Sequence, residues 1–138
     1  MCRFHAQLAL IIFLVATPAF AQEQIPYLVG TWKATITEVH VKGKDFLSES
    51  GVTTFHVLEQ KGRILHGTKE WSFAGNNHKG SDRFSGVIAK DNKTIYIAGH
   101  EEGVRIGHID GQDAITIYFI IPGRSQPRAG YSELTRVK

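Results

Sequence analysis

Histidines are the side chains of this sequence best suited to bind a metal ion or carry a proton, and six of them lie beyond residue 21. None is paired as H-x-H or H-x-x-x-H, spacings that would place two ligands together. His56 and His66 flank Gly62 and would be cross-strand neighbours across a three-residue hairpin loop. Strand alternation puts both on the outer surface, and two ligands do not complete a site. We therefore expect no metal centre among His40, His56, His66, His78, His100 and His108.

Other reactive groups show no arrangement that a reaction would need. The sequence has no Gly-x-Ser-x-Gly elbow and no phosphate-binding loop. Its single cysteine is Cys2, while Glu101 and Glu102 occupy a turn where carboxylates are normally solvated. The sequence therefore favours a non-catalytic protein without a cofactor. An isomerase-type enzyme inside a small barrel is the least favoured alternative, because such sites need not show a motif.

The first 21 residues have the three-part form of a secretory signal peptide. Arg3 precedes an apolar run over residues 8–16, and Ala19-Phe20-Ala21 supplies the small residues of a cleavage site. The run is shorter than the roughly 20 residues that a transmembrane helix requires. We expect cleavage after Ala21, a secreted or periplasmic location, no membrane insertion after cleavage, and a single domain over residues 22–138.

The net charge and the cysteine content narrow the expected partners and stabilising groups. Loss of Arg3 lowers the net charge of +3 by one, and the remaining basic residues form no dense run. The sequence therefore does not predict nucleic-acid binding. Because Cys2 leaves with the signal, the mature domain has no disulfide and depends on packing for its stability.

The secondary structure predicted for residues 22–138, which must position any site, consists of strands. Eight runs rich in Thr, Val, Ile, Phe and Tyr are separated by Gly, Asn or Asp turns, at 31–41, 52–60, 63–73, 83–90, 94–100, 104–109, 114–121 and 129–137. Most links are short, so sequential strands should pair as antiparallel neighbours. Closing such a sheet removes both free edges. We therefore predict an all-β, eight-stranded antiparallel up-and-down barrel rather than an open sandwich.

Three short stretches resemble calycin barrels, the superfamily of lipocalins and avidins. They are VGTW at residues 29–32, the hairpin EQKGRILHGTKEW at 59–71, and the ending SELTRVK at 132–138. In calycins the first-strand tryptophan lies across the closed end of the barrel, under a basic residue from the last strand. The resemblance implies that Trp32 is this structural plug and that Arg136 covers it.

The same resemblance implies four ligand-lining positions. In the avidin pattern they correspond to Lys69 and Trp71 after the Gly-Thr of the second hairpin, to Tyr118 on the seventh strand, and to Ser132 on the eighth. Ala34 stands where avidins carry a polar residue, and several other biotin contacts are missing, so biotin itself is not expected.

Small residues at inward positions favour a pocket over a solid core. Ala34, Gly67, Gly86, Gly107 and Ser132 leave space if they face inward, and the pocket should open opposite Trp32, beneath a loop over residues 74–80. An inward Lys69 would favour an anionic or carbonyl-bearing ligand. The sequence thus predicts an exported, non-catalytic barrel that binds a small, partly apolar molecule. The alternative is a protein-interaction barrel, such as a secreted-protease inhibitor, which an exposed N-terminal arm would support.

Self-association is a further expectation. The predicted fifth and seventh strands, at 94–100 and 114–121, are apolar on both faces. A barrel needs one apolar face per strand, so the surplus predicts a homo-oligomer formed through the fifth to seventh strands.

Overall fold

Short strands joined by turns form a sheet that closes on itself. A computed structural model describes residues 24–44, 46–50, 52–73, 78–101, 103–123 and 127–138. Its strands are β1 (Gly30–Val41), β2 (Phe46–Glu49), β3 (Thr53–Lys61), β4 (Ile64–Phe73), β5 (His78–Ile88), β6 (Thr94–Gly99), β7 (Val104–Ile109), β8 (Ala114–Ile121) and β9 (Arg128–Arg136). The predicted signal peptide, residues 1–21, lies outside the described residues.

The sheet is a closed antiparallel barrel of eight strands, as predicted. β1 pairs with β3, each strand from β3 to β9 pairs with the next, and β9 returns to β1. The closing ladder runs from Trp32 opposite Arg136 to Val41 opposite Arg128. The described residues contain no helix long and apolar enough to cross a membrane.

A ninth strand, β2, was not predicted. It folds back on the second half of β1, with Thr37 opposite Glu49 and His40 opposite Phe46. β1 pairs with β3 only through its first residues, Gly30–Lys33. The segment FLSE was missed because four residues give too short an alternation to be recognised.

The fifth barrel strand begins earlier than its sequence indicates. It was predicted from residue 83, but β5 starts at His78 and Gly80 lies opposite Trp71. The expected loop over 74–80 is therefore wrong in its second half, and residues 74–77 lie outside the described residues. Pairing with β4 overrides the low strand propensity of this Gly-rich segment.

The β3–β4 hairpin corrects the predicted relation between His56 and His66. Lys61 pairs directly with Ile64, and a bulge between Val57 and Glu59 shifts the register. His56 consequently lies opposite Thr68, and His66 lies opposite Glu59. The turn consists of Gly62 and Arg63 alone, so its centre lies further along the chain than that of the predicted three-residue loop, and the two histidines are not brought opposite each other.

The core fills the half of the barrel that contains Trp32. Ala34, Gly67, Gly86, Gly107 and Ser132 face inward as expected. The glycines in that half do not leave space, however, because larger neighbours cover them. A Cβ at Gly67 would lie 2.8 Å from the Phe84 ring, and one at Gly107 would lie 2.5 Å from Ile95 and 2.7 Å from Ile117. The buried cluster contains Leu28, Trp32, Ala34, Phe55, Val57, Leu65, Phe84, Ile88, Ile95, Ile97, Ile109, Ile115, Ile117 and Leu134.

Candidate ligand-binding cavity

The closed end of the barrel is built on Trp32. Its side chain is 1% exposed, and its indole Nε1 donates a hydrogen bond to the Leu28 carbonyl at 2.9 Å. The guanidinium carbon of Arg136 lies 4.2 Å from the centre of the Trp32 ring. Thus the first-strand tryptophan and the last-strand arginine meet, and the cation packs on the ring face.

Arg136 also holds the segment that precedes β1. Its Nη1 donates to the Val29 carbonyl and its Nη2 to the Tyr27 carbonyl, both at 2.8 Å. Gly30 permits this approach, because its φ is +136° and a Cβ there would lie 3.1 Å from Nη1. The Gly-x-Trp spacing therefore places a residue without a side chain under the guanidinium and a large ring beside it.

Residues 24–29 are docked against the barrel rather than extended from it. The Leu28 side chain is 1% exposed, and its N–H donates to Gln60 Oε1 at 2.8 Å. Gln60 Nε2 in turn donates to the Pro26 carbonyl at 2.8 Å. This part of the chain does not form the exposed arm that would support a protease-inhibitor role.

A cavity occupies the half of the barrel opposite Trp32. Its internal volume is about 60 Å³, and the empty space is about 740 Å³ when the mouth and adjoining solvent are included. The smaller volume decides what can be enclosed, because the larger one counts open solvent. The lining consists of Thr37, Val39, Val41, Lys44, Leu47, Thr53, Phe55, Lys69, Trp71, Arg105, Ile117, Phe119, Ile121, Arg128 and Ser132.

Strand register explains which side chains meet in the cavity. Phe55 lies opposite Lys69, and Lys69 opposite Asp82, so one inward row crosses three strands. A second row runs from Arg105 through Phe119 to Gly130.

Gly130 gives the Phe119 ring its position against the wall. A Cβ at Gly130 would lie 2.7 Å from the tip of that ring and 2.1 Å from the Glu38 carbonyl. The tip of the ring therefore contacts the strand at a residue without a side chain.

Two side-chain contacts that involve polar groups lie in the cavity wall. The hydroxyl oxygens of Thr37 and Ser132 are 2.9 Å apart, and both residues are at most 2% exposed. The Lys69 Nζ lies 4.2 Å from the centre of the Trp71 ring. Both residues of this second pair are half-buried, so the ammonium is held on the indole face at the cavity edge.

Three of the four predicted ligand-lining residues come together. Lys69, Trp71 and Ser132 all line the cavity. Tyr118 does not, and its assignment to the wall is corrected: its side chain is 54% exposed on the outside of β8. Its neighbours Ile117 and Phe119 take the inward positions, and a strand can send only alternate residues to one face.

Arg105 is the most informative cavity residue that the sequence analysis missed. It is 3% exposed, and the strand VRIGHI alternates outward and inward from Val104. Gly107 was expected to face inward, so the period of two already implied an inward Arg105. Thr37, from β1, was also missed because its role depends on its hydrogen bond to Ser132.

The outer wall carries a continuous apolar row. Val87, Tyr96, Ile106 and Tyr118 are successive partners across β5 to β8 and are 39%, 48%, 44% and 54% exposed. Beside them, Val104 lies opposite Ile120. We refer to these six residues as the outer apolar row.

Titratable groups form no metal-binding set within the described ranges. No group of three or more His, Cys, Asp or Glu side chains there is placed to hold a metal ion. The pKa of Tyr131 is raised, first by its side-chain hydrogen bond to Glu38. The pKa of Asp91 is lowered from 3.8 to about 2 by hydrogen bonds from the Thr94 hydroxyl and from the backbone N–H groups of Lys93 and Thr94. Asp91 lies in the β5–β6 turn, away from the cavity.

Comparison with known proteins supports the architecture alone. No protein-family model matches the chain, and no curated protein matches it. A solved structure of a redesigned β-barrel is similar, with a TM-score of 0.54 and 12% identity over 80% of this chain and 92% of that one. At this identity the likeness concerns the fold, and the calycin resemblance remains an inference from the sequence motifs.

Proposed function

We propose that the protein is an exported, non-catalytic barrel that binds a small, partly apolar molecule. The observation that carries this proposal is the cavity opposite Trp32. It joins aromatic walls, Trp71 and Phe119, to the hydroxyl pair of Thr37 and Ser132. Binding sites for small molecules commonly combine a mainly apolar lining with a few placed polar groups. The calycin resemblance supports the same role.

The two tryptophans allow binding to be assigned to one end of the barrel. Trp71 lines the cavity, whereas Trp32 is enclosed at the other end. Native mass spectrometry of protein from its source should show a retained small molecule. Adding that molecule back to the stripped protein should change Trp71 fluorescence in Trp32→Phe, and leave the emission of Trp32 unchanged in the matched variant Trp71→Phe. Absence of any retained or rebinding molecule would contradict the proposal.

The export part of the proposal is tested separately. The signal-like head supports cleavage after Ala21, which intact-mass measurement of protein from the periplasm or medium will detect. Recovery of a chain that retains residues 1–21 would contradict it.

We also propose that the outer apolar row supports self-association. Tyr118, Ile106 and Tyr96 form adjacent exposed positions, and a second copy would remove them from water. Sedimentation at micromolar concentration should show a dimer or higher oligomer, and Tyr118→Lys should shift it toward monomer. The outward Lys33→Glu serves as the surface-charge control. A monomeric wild type would contradict self-association without affecting the cavity.

A further inference from the structure

We infer that the cavity binds a neutral molecule with a hydrogen-bond acceptor, of the class of a short ketone, and that the hydroxyl pair of Thr37 and Ser132 holds the acceptor. This inference rests on the proposed function and narrows its ligand class. Both residues line the cavity and are 1% and 2% exposed. Their hydroxyl groups therefore meet a ligand inside the barrel rather than bulk water.

The hydroxyl pair has one hydrogen-bond donor left over. The oxygens of Thr37 and Ser132 are 2.9 Å apart, and their mutual hydrogen bond uses one of the two hydroxyl protons. In the described part of the chain, no other group accepts the second proton. A buried donor without an acceptor is costly, so a ligand oxygen at this place stabilises the complex. A purely apolar ligand would leave the proton unpaired.

A bulge in β1 is what turns Thr37 inward. Trp32 and Ala34 are buried, and strict alternation would make Ile36 the next inward residue. The pairing of β1 with β9 shifts between Ala34 and Ile36, so that Thr37 is 1% exposed and Ile36 is half-buried. The shift puts a hydroxyl where a solid core would take an isoleucine. Bulges recur next to functional sites, where they re-aim a side chain in this way.

The hydroxyl pair lies at the inner end of the cavity. Along β1, the inward residues Val39 and Val41 follow Thr37 toward the mouth. On the other side of the pair, Ser132 lies opposite the buried Ile117. A ligand would therefore enter with its acceptor first and leave its apolar body against the side chains nearer the mouth.

The charges around the cavity favour a neutral ligand over an ionised one. Lys69, Arg105 and Arg128 line it, and each already interacts with another group of the chain. The buried Asp82 lies opposite Lys69 and adds a negative charge to the same region. Lys44, a further cation of the lining, is exposed to solvent. An ionised ligand would lose its hydration without gaining an uncommitted opposite charge, whereas a neutral acceptor loses less.

The enclosed volume sets the size of the ligand. The cavity encloses about 60 Å³. Each water-sized sphere takes about 10–15 Å³, so this space holds roughly four to six such spheres. Methyl propyl ketone, with about six non-hydrogen atoms, matches this size and carries its carbonyl group near one end.

Three probes of equal size separate the acceptor from charge and from apolar contact. Methyl propyl ketone has a neutral carbonyl group. Butyrate replaces its terminal methyl group with a charged oxygen, and the matching alkene replaces the carbonyl oxygen with a methylene group. Calorimetry of the full chain, together with Trp71 fluorescence in Trp32→Phe, should show the ketone binding at least about tenfold more tightly than butyrate at neutral pH, which corresponds to about 1.4 kcal/mol.

Removing both hydroxyls tests the proposed contact. Thr37→Val combined with Ser132→Ala should weaken ketone binding by about tenfold and should not weaken alkene binding, because only the ketone loses a hydrogen bond. Either single variant keeps one hydroxyl proton and should retain most of the ketone affinity. Thr35→Val is the matched control and should leave the affinity unchanged, because Thr35 is exposed on β1 and its hydroxyl donates to the Glu133 carbonyl.

The carbonyl stretch of the bound ketone reports the hydrogen bond directly. Infrared difference spectra of the wild type should place it at a lower frequency than in an alkane solvent, because a donor weakens the carbonyl double bond. The double variant should abolish this shift. The wild-type spectrum is decisive on its own if the double variant does not fold.

The outcomes separate this inference from the proposed function. Butyrate binding as tight as ketone binding would overturn the neutral part of the inference. An unshifted carbonyl stretch, or an equal loss of ketone and alkene affinity in the double variant, would overturn the assignment to the hydroxyl pair. Each of these results leaves the proposed function in place. If no probe binds while a molecule is retained from the source, the inference fails alone, and if nothing binds and nothing is retained, both fail.

Discussion

Trp32 and Trp71 lie in opposite halves of the barrel, and their surroundings differ in kind. Trp32 is 1% exposed, donates a hydrogen bond to the Leu28 carbonyl and lies under Arg136. Trp71 is half-buried, carries Lys69 on its face and borders a cavity. Each half therefore pairs an indole with a cation. The pair closes a packed core in one half and borders empty space in the other, so the same contact can stabilise a fold or line a site.

The largest expected effect tests this difference directly. Trp32→Ala should lower the free energy of unfolding by about 3–5 kcal/mol, because it removes a fully enclosed ring from a packed core. Trp71→Ala should cost less than about 2 kcal/mol, because part of its ring already contacts solvent. Urea denaturation followed by far-UV circular dichroism measures both. Equal losses would show that the two halves are packed alike.

Arg136 provides the next largest effect. Arg136→Lys should lower the free energy of unfolding by about 1–3 kcal/mol, since an ammonium cannot reproduce the fork that reaches the Val29 and Tyr27 carbonyls. Lys138→Ala is the control, because Lys138 is 87% exposed and its ion pair with Asp113 is 4.0 Å long. Similar stability of Arg136→Lys and wild type would mean that charge alone secures the closed end.

The hydrogen-bonded hydroxyls of Thr37 and Ser132 test how the cavity half contributes to stability. Ser132→Ala should cost about 1–2 kcal/mol, because the buried Thr37 hydroxyl loses its partner. Replacing both groups, in Thr37→Val with Ser132→Ala, should recover most of that loss. Thermal unfolding of the single and double variants forms the required cycle. Additive losses would indicate that the two hydroxyls are energetically independent.

The smallest effect lies in the β5–β6 turn at the closed end. Asp91 has a pKa of about 2 in the folded protein against 3.8 ordinarily, so its ionised form stabilises the fold above about pH 4. That contribution should disappear as the pH falls from about 4 to 2. The wild type should therefore lose its stability advantage over Asp91→Asn as the pH falls through this window. A titration by nuclear magnetic resonance that gives Asp91 an ordinary pKa would contradict the assignment.

The closed end was largely predictable from sequence, whereas the cavity was only partly so. Strand alternation and turn residues predict the barrel, and Gly62 and Asn92 do adopt positive φ, at 59° and 57°. Motifs at the start of the first strand and at the end of the last strand pointed to Trp32 and Arg136. These signals are local, and each depends on a residue type with a strong geometric preference.

Cavity residues depend on which way each strand faces and on its register. β8 is apolar on both faces, so its sequence did not determine whether Tyr118 pointed inward. One residue of slippage exchanges every inward and outward side chain. The sequence also could not show that the Phe84 ring occupies the space beside Gly67. That contact depends on the pairing of β4 with β5.

The contacts of Arg136 also constrain the order in which the protein can fold. Its Nη2 bonds the carbonyl of Tyr27, a residue 109 positions earlier in the chain. Synthesis proceeds at about 5–20 residues per second, so β9 is made many seconds after β1, the strand with which it pairs. Until then the nascent chain has at most an open sheet, with unpaired edges that readily join other chains. Pairing of β9 with β1, rather than the formation of any early hairpin, is therefore the step that removes the free edges of the sheet.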